Sequence, residues 1–342
     1  MTVLSLLLIH QEGWASEAVQ VASGDGEIYH SLAGKKSTGV MNNITERLTF
    51  GGLLEVEASL ADDSSAGKTS DVTLATVEVG IDGEFNDNIA GHILLLWEED
   101  ATDPLALDEG ALTITLKEGF SLVAGKMYLP FGVFNSHFVS DPQTLELGEI
   151  NESALLLTYE RGAYELSAAI FNGSVDRAGE DEIVDYILSI TASPAEWLTL
   201  GVSYLSDLSD TDGDFTSLGA SGTKISHIVA AYHLSGSYHR DAISVEAEVV
   251  GAVESFDTAD VPTGDKPFTY NIEFAYEVEE SWAAAVKFEG NDGFTSFPER
   301  QYGIATSYGL FEHTTIAVEY LHGEFNSGAD RDMVTAQLAF EF

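Results

Sequence analysis

The chain has 342 residues, no cysteine, and 57 Asp and Glu residues against 14 Lys and Arg residues, which gives a formal net charge of −43. This acidity argues against nucleic-acid binding, because a surface that binds phosphates needs a basic patch. The lack of cysteine excludes disulfides, thiolate metal sites and thiol nucleophiles. A hydrophobic content of 44% is too high for a disordered acidic chain, so we expect a folded protein.

The first residues have the features of a secretory signal. Residues 1–9 form an apolar core, and the small residues of 13–16 resemble a cleavage region, although no basic segment precedes them. We expect residues 1–15 to be a signal peptide, with a buried N-terminal strand or helix as the alternative. Residues 16–45 lack sustained alternation, and we expect a periplasmic lead-in there, with a short helix or a plug as the alternative.

Residues 46–342 contain roughly sixteen segments in which apolar and polar residues alternate, each near the length of a strand that crosses a bilayer at a tilt. In the last segment, Val334, Leu338 and Phe342 belong to one apolar face, and Thr335 and Gln337 belong to the other face. Successive side chains of a strand point to opposite faces, so each segment has an apolar side for lipid and a polar side for a lumen.

The connections between these segments alternate in length. The short ones lie near residues 86–87, Gly119, Gly162, 194–195, Gly236, 279–280 and 310–311. The long polar ones lie at residues 61–70, 99–108, 130–150, 172–182, 207–223, 251–266, 290–298 and 323–331. Tight turns at one end and long loops at the other are typical of outer-membrane barrels.

The fold predicted from this pattern is all-β: a transmembrane antiparallel up-and-down β-barrel of about sixteen strands in the bacterial outer membrane. The terminal Phe342 resembles the C-terminal signature of such barrels. The expected surroundings are outer-membrane lipid and lipopolysaccharide, with a homotrimer as the candidate assembly. The alternative is a soluble β-sandwich, which also alternates but has turns every 8–12 residues or so.

The third long connection, residues 130–150, is the most apolar of the loops. A loop lying wholly in water would not need its apolar residues, so we expect it to fold into the barrel and narrow the lumen. A hydrophobic contact between subunits is the alternative. The candidate constriction residues are Pro130, Phe131, Phe134, His137, Phe138, Asp141, Glu146 and Glu149.

This region also resembles a known family. The residues that carry the likeness are Gly125-Lys-Met-Tyr-Leu-Pro-Phe-Gly132, Phe134-Asn-Ser-His137, Ser140-Asp-Pro142, Thr144-Leu-Glu-Leu-Gly-Glu149 and Glu152. Together they resemble the LbtU-like siderophore porins, which implies a porin that passes iron chelates. The shorter part, Gly125-Lys126 with Pro130-Phe131-Gly132, resembles phosphate-selective porins, which share the sixteen-strand plan.

The polar faces of the strands set the expected charge of the lumen. The candidate lumen-lining residues are Glu55, Glu57, Glu78, Lys126, Glu246, Glu248, Glu273, Glu277, Lys287 and Glu289. A phosphate channel needs a ladder of Arg and Lys residues, which this set does not supply. An acidic wall favours cations instead, an effect that salt weakens. Alternatively, many of these carboxylates lie near the rims and pair with loops or divalent ions.

A cluster of hard oxygen ligands follows one strand. Asp207, Asp210, Asp212 and Asp214 surround Gly213 in a short segment of the kind that suits calcium. The complete EF-hand spacing is absent, because no Glu occupies its twelfth position. The alternative is a solvated acidic loop, and no other cofactor is expected.

The predicted function is that of an outer-membrane porin for small hydrophilic solutes, with a preference for cations and with iron chelates as candidate cargo. The alternative is a structural or adhesive barrel whose acidic loops bind calcium. A hydrolase is not expected, because the sequence contains no Gly-x-Ser-x-Gly elbow, His-Glu-x-x-His helix or phosphate-binding glycine loop.

Overall fold

The computed structural model describes residues 47–99, 105–173, 183–211, 227–258, 266–279, 281–294 and 297–342. The predicted signal peptide and lead-in therefore lie outside the described residues. Within them, sixteen antiparallel strands form one closed barrel, in which each strand pairs with its neighbours in sequence and the first strand pairs with the last. The predicted fold class is thus confirmed.

The strands have the following bounds. They are β1 (Leu48–Asp63), β2 (Gly67–Asn86), β3 (Ile89–Trp97), β4 (Ala106–Thr115), β5 (Phe120–Tyr128), β6 (Asn151–Arg161), β7 (Tyr164–Phe171), β8 (Asp185–Ala195), β9 (Leu198–Leu205), β10 (Ala231–Arg240), β11 (Ile243–Ala252), β12 (Phe268–Glu279), β13 (Trp282–Asp292), β14 (Arg300–Phe311), β15 (Thr314–Glu324) and β16 (Asp330–Glu341). A short helix, α1 (Gln143–Gly148), and a 3₁₀ helix (Leu208–Asp210) lie in two connections. None of the helices among the described residues has the length and hydropathy needed to cross a bilayer.

Alternation along the strands separates an outer apolar surface from an inner polar one. In β12, Ile272 and Phe274 are 49% and 43% exposed, whereas Glu273 between them is fully buried at 0%. Pairing between strands extends each apolar position into a row around the barrel, because paired residues of adjacent strands lie on the same face. The predicted outward direction of the apolar face is therefore confirmed.

A charged row limits this apolar surface toward the long-loop end. His322, Asp332, Asp62 and Lys68 are register partners across β15, β16, β1 and β2. Two ion pairs run along the row, with His322 Nδ1 2.8 Å from Asp332 and Lys68 Nζ 2.8 Å from Asp62. Carboxylates and ammonium groups are costly inside a hydrocarbon layer, so this row belongs outside it.

The C-terminus closes the seam of the barrel. Phe342 N–H donates to Gly52 O at 3.1 Å, and Gly52 N–H donates to Phe342 O at 2.9 Å. Pairing between β1 and β16 then continues along eleven register positions from Leu53 to Asp63. The terminal phenylalanine thus extends the last strand up to the backbone of the first, and no sheet edge remains open at this seam.

Two predicted connections differ from the structure. Gly236 lies in the middle of β10, paired with Leu200 and Ala247, and the turn follows at residues 241–242. The run of small residues around Gly236 resembles a turn in sequence, but it lies within a strand, where Ser235 and Ser237 face the lumen and Gly236 faces outward. The predicted long loop at 61–70 is instead a hairpin, in which β1 and β2 continue to a turn at residues 64–66 that Asp63 caps by accepting from two backbone N–H groups.

Candidate functional site

Residues 129–150 connect β5 to β6 and fold into the barrel, where α1 lies against β11, β12 and β13. We call residues 130–150 the inner loop. Its backbone N–H groups would lack partners in the lumen, because most of the segment is irregular. Inward-pointing glutamates of the barrel wall provide the acceptors, and they hold the inner loop to one side of the lumen.

Glu248 binds the first bend of the inner loop. Its carboxylate accepts from the N–H of Val133 at 2.7 Å, from the N–H of Phe134 at 3.2 Å and from Thr144 Oγ1 at 2.8 Å. Phe134 has a φ of +54°, a left-handed conformation that bulky side chains rarely adopt. Glu248 therefore fixes the inner loop where its backbone is strained, and also binds the helix that follows.

Glu273 and Glu319 bind the next part of the inner loop. Glu273 accepts from Ser136 Oγ at 2.8 Å and from the N–H of His137 at 2.7 Å. Glu319 accepts from the N–H groups of Val139 and Ser140 at 2.8 and 3.0 Å, and also from the Ser140 hydroxyl. Hydrogen bonds to an ionised acceptor are about twice as strong as neutral ones, so these glutamates act as anchors.

Glu289 completes this set of anchors at the start of α1. It accepts from the N–H of Gln143 at 2.9 Å and from Gln301 Nε2 at 2.7 Å. Gln143 Nε2 in turn donates to Pro298 O at 3.2 Å, and Asn291 Nδ2 donates to Gln143 Oε1 at 2.8 Å. Residues of β13 and of the connection after β13 therefore bind both the backbone and the side chain of Gln143, the first residue of α1.

Lys287 neutralises part of this acidic group. Its fully buried ammonium lies 3.5 Å from Glu273 and 3.7 Å from Glu289, and it donates to Ser140 O at 3.3 Å. The same nitrogen lies 4.6 Å from the centre of the Phe138 ring, which is the geometry of a cation–π contact. Lys287 was predicted to line the lumen, but the inner loop covers it.

Phe138 fills a pocket that small wall residues create. The ring is fully buried with Ala275, Ala285, Ala305 and Leu321. A Cβ atom at Gly303 would lie 2.4 Å from Phe138 Cε1 and 2.6 Å from Leu321 Cδ2, so the glycine gives the ring its space. The alternating pattern of β14 gives no indication of this role.

A larger apolar core forms at the long-loop end of the lumen. Phe131, Leu147 and Ile150 of the inner loop are buried there against strand residues of β6 to β11, with Leu208 and Val229 of the connection after β9. The inward face of these strands is therefore apolar near this end, contrary to the prediction of a polar face throughout. The apolar residues of the inner loop need an apolar wall, which explains the difference.

The other predicted constriction residues are more open. Pro130, Asp141, Glu146 and Glu149 are partly exposed. His137 donates its N–H to Glu273, and its Nδ1 lies 3.3 Å from the same carboxylate. The inner loop thus directs His137 toward the barrel wall and leaves the carboxylates of Asp141, Glu146 and Glu149 partly exposed.

A second group of inward carboxylates lies on β1 to β4, away from these anchors. We call Glu55, Glu57, Glu78, Asp82, Asp108 and Glu109 the acidic wall. Their described contacts reach strand neighbours, for example Gln337 Nε2 to Glu57 at 3.0 Å, His92 Nδ1 to Asp82 at 2.7 Å and Tyr128 OH to Asp108 at 3.2 Å.

Two of the predicted lumen residues lie near the edges of these groups. Lys126 is partly exposed, with Nζ 3.4 Å from Leu107 O. Glu277 is partly exposed close to the turn after β12, and its N–H donates to Ala242 O. Glu246 is buried and contacts Ser237 Oγ at 2.5 Å and His239 Nε2 at 2.8 Å.

Three buried aspartates meet near the long-loop end. Asp185, Asp207 and Asp210 each offer an oxygen atom, and these atoms lie within 4.8 Å of one another. Asp207 also accepts from Ser209 N–H and Ser209 Oγ at 3.1 and 2.7 Å. The structure therefore joins two of the predicted calcium ligands to Asp185, which the sequence analysis missed. Asp212 and Asp214 lie outside the described residues.

One group has the composition of a hydrolase triad. Ser203 Oγ lies 3.0 Å from His233 Nδ1, and His233 Nε2 lies 2.8 Å from Glu248 Oε1. The two ring nitrogens are exchanged relative to serine hydrolases, in which the serine contacts Nε2. All three side chains are buried, and Glu248 is already bound to the inner loop, so this group supports the loop and offers no approach to a substrate.

The chain has distant relatives in sequence. A UPF0422 protein of Coxiella burnetii is 22% identical over 304 residues, covering 81% of this chain and 64% of the relative. A UPF0422 protein of Legionella pneumophila strain Paris is 22% identical over 298 residues, covering 75% of this chain and 55% of the relative. The chain thus spans less than two thirds of these relatives. No family model matches it, and the likeness to LbtU-like porins stays a prediction.

Solved structures of outer-membrane channels share the fold. The outer membrane channel DcaP of Acinetobacter baumannii superimposes with a TM-score of 0.65 at 13% identity, covering 86% of this chain and 97% of DcaP. OmpF of Salmonella typhi gives 0.60 at 10% identity, with 86% and 97% coverage. The trimer form of OmpT from Vibrio cholerae gives 0.54 at 13% identity, with 86% and 99% coverage. The chain therefore has the architecture of outer-membrane porins.

Proposed function

We propose that the protein is an outer-membrane porin that lets small hydrophilic solutes diffuse and that prefers cations. The observation that carries this proposal is the unequal occupation of the lumen. The inner loop is bound to glutamates of β11, β12, β13 and β15, while the acidic wall lies on β1 to β4. Solutes would pass between the inner loop and this acidic wall.

The charge balance beside this path supports cation preference. The acidic wall contributes six carboxylates, and the basic groups close to them are His92 and Lys126. A narrow path with low-dielectric walls concentrates the field of such charges and raises the local concentration of cations. The carboxylates of the anchors contribute less, since N–H groups and Lys287 compensate them.

Single-channel recording in planar bilayers tests the proposal. In a KCl gradient, the reversal potential should have the sign of a cation-preferring pore, and deletion of residues 133–140 should raise the conductance. The folded state of each variant is checked by its heat-dependent migration in detergent gels. Anion preference in dilute salt would contradict the proposed selectivity, and an unchanged conductance would assign the inner loop to another role.

Iron chelates are the finer proposal for the cargo, and the likeness of residues 125–152 to LbtU-like porins supports it. Liposome swelling compares ferric chelates of similar size with positive, zero and negative net charge. Uptake of a ferric chelate at least as fast as that of an uncharged sugar of equal size is expected. Exclusion of all the chelates would contradict the proposed cargo and leave the proposal of a porin for other small solutes.

We also propose a homotrimer in outer-membrane lipid with lipopolysaccharide at its outer rim. The trimer form of OmpT, which shares the fold, supports the assembly, and the charged row His322, Asp332, Asp62 and Lys68 supports the position of the lipid boundary. Light scattering of the detergent-solubilised protein should give a protein mass of three chains. A mass of one chain would contradict the trimer.

A structural or adhesive barrel that binds calcium is the second candidate, and the meeting of Asp185, Asp207 and Asp210 favours it. Oxygen ligands of this kind suit calcium. This candidate predicts a low conductance and a calcium-dependent rise in thermal stability that Asp210→Asn abolishes. A conducting pore whose stability does not respond to calcium would reject it.

A further inference from the structure

A buried histidine lies behind one of the anchors of the inner loop. His233, on the inward face of β10, is 2% exposed, and its Nε2 atom lies 2.8 Å from Glu248 Oε1. Its Nδ1 atom lies 3.0 Å from Oγ of the buried Ser203 on β9. We call Ser203, His233 and Glu248 the His233 group. All three side chains are buried, so this group can act on the pore only through the inner loop that Glu248 binds.

The contact with Glu248 determines which nitrogen of His233 carries a hydrogen atom. An ionised carboxylate accepts hydrogen bonds and has none to donate, so a contact of 2.8 Å is favourable when Nε2 carries the hydrogen. In neutral imidazole Nδ1 is then an acceptor, and the Ser203 hydroxyl donates to it. In imidazolium Nδ1 is a donor, and the same hydroxyl accepts. Ser203 therefore satisfies His233 in both charge states by rotation of one hydroxyl group.

The charge of His233 affects how strongly Glu248 holds the inner loop. Glu248 accepts from the N–H groups of Val133 and Phe134 and from Thr144 Oγ1. Beside a neutral imidazole, these donors face a full negative charge. Beside imidazolium they face a neutral pair, and hydrogen bonds that owe their strength to an ionised acceptor become weaker. Phe134 has a φ of +54°, so this bend has backbone strain to release when Glu248 binds it less strongly.

The surroundings of His233 make Glu248 its charged partner. Its register partners are Ser203 and Val250, and the ring of Phe131 faces it from the inner loop at 6.2 Å between ring centres. The other titratable groups of the elements packed around it are Asp185, Asp207, Glu246, His137, Glu146 and Glu149. Asp207 lies four residues beyond Ser203, or about 13 Å along the strand direction.

We propose that His233 is a positioning residue whose protonation loosens the inner loop, so that acid enlarges the pore. This inference rests on the proposed function, because it adds regulation by pH to the constriction of the proposed porin. His233 acts through Glu248 and contacts no solute. Histidine is the side chain that ordinarily changes charge between pH 5 and pH 8, which sets the range to be tested.

Single-channel recording at pH 8 and pH 5 in 1 M KCl tests this inference. At this salt concentration the Debye length is about 3 Å, so a change in the charge of the acidic wall has little effect on the current. The wild-type protein should spend about tenfold more time in a state of larger conductance at pH 5 than at pH 8, equivalent to about 1.4 kcal/mol. His233→Gln keeps an N–H donor for Glu248 and takes up no proton, so at both pH values it should behave as the wild type does at pH 8.

His239→Gln is the matched control. His239 lies on the same strand and has the same kinds of partner, with Nδ1 3.0 Å from Ser244 Oγ and Nε2 2.8 Å from Glu246 Oε1. The described contact of Glu246 with the inner loop is Asn135 Nδ2 at 3.4 Å, which involves no backbone N–H group. This control should keep the tenfold response. Glu248→Gln is the second variant, and it should show the larger conductance at both pH values because it removes the carboxylate.

The outcomes separate this inference from the proposed function. A response to pH that His233→Gln and Glu248→Gln abolish and His239→Gln retains supports the role of His233. A wild-type pore without a response, or a response that persists in His233→Gln or in Glu248→Gln, overturns this role and leaves the proposed function intact. A reversal potential without cation preference at pH 8 overturns the proposed function whatever the response to pH.

Discussion

The two sides of the lumen use the same residue type for different purposes. On β11, β12, β13 and β15, Glu248, Glu273, Glu289 and Glu319 accept hydrogen bonds from the inner loop and are buried. On β1 to β4, the acidic wall has carboxylates whose described partners are strand neighbours or, for Glu78 Oε1, absent. The first group holds the inner loop, and in the proposed function the second sets the charge of the path.

This difference shows why counting inward carboxylates is a poor measure of selectivity. A glutamate that receives two or three N–H groups loses much of its field in the lumen, since the donors and Lys287 compensate its charge. The described hydrogen bonds to the acidic wall come from strand residues, such as Gln337, His92 and Tyr128, and the inner loop leaves this wall facing the path. Variants of the two groups should therefore have different effects. Substitution of the anchors should change the position of the inner loop, and substitution of the acidic wall should change the preference for cations.

The largest effect is expected for Lys287→Met. It would leave Glu273 and Glu289 buried without their shared cation, and breaking one partner of a buried charge group costs about 3–5 kcal/mol. The free energy of unfolding, measured with a denaturant in detergent or lipid, should fall by this amount, and the conductance should rise as residue 140 loses a donor.

Lys68→Met is the control for this prediction, because it removes an exposed lysine that pairs with Asp62 on the outer surface. Its stability and conductance should match those of the wild type, as expected for surface ion pairs. An equal loss of stability in both variants would contradict the role assigned to Lys287.

A smaller effect is expected for Gly303→Ala. The new Cβ would lie 2.4 Å from Phe138 Cε1, and such overpacking costs about 1–3 kcal/mol. Displacement of Phe138 should loosen the inner loop, so conductance should become noisier and larger. Gly309→Ala, in the same strand, meets its nearest atom at 3.7 Å and should behave as the wild type. Identical recordings from the Gly303→Ala and Gly309→Ala variants would contradict the packing of Phe138 against Gly303.

The smallest effect is expected for the partly exposed carboxylates of the inner loop. Neutralising Asp141, Glu146 and Glu149 together should reduce cation preference without abolishing it, because the acidic wall remains. The preference should also shrink as salt rises toward 1 M, where the Debye length is about 3 Å. Reversal potentials at several salt concentrations measure both effects, and a preference independent of salt would contradict an electrostatic origin.

The barrel could be predicted from the sequence because alternation with period two is a local signal. The alternation of Ile272, Glu273 and Phe274 predicts which side chains face outward without any knowledge of residues distant in sequence. The hairpin of β1 and β2 was predicted as a long loop, since its polar residues resemble a loop in composition although they pair in register.

The roles within the site could not be predicted in the same way. That Glu273 binds His137 depends on a contact between residues 136 positions apart, which no local pattern encodes. The space that Gly303 leaves for Phe138 is equally invisible in sequence. The position of Asp185 could have been predicted from strand pairing. The start of β8 lies beside the end of β9, and their register, continued by two residues, places Asp185 opposite Asp207.

The reversal potentials of two multiple variants test most directly whether the anchors and the acidic wall have separate roles. Glu57→Gln, Glu78→Gln and Glu109→Gln combined should shift the reversal potential in a KCl gradient clearly toward zero, with the conductance near that of the wild type. Glu248→Gln and Glu273→Gln combined should keep cation preference and raise the conductance, because they release the inner loop. Loss of cation preference in the second variant but not in the first would contradict the account.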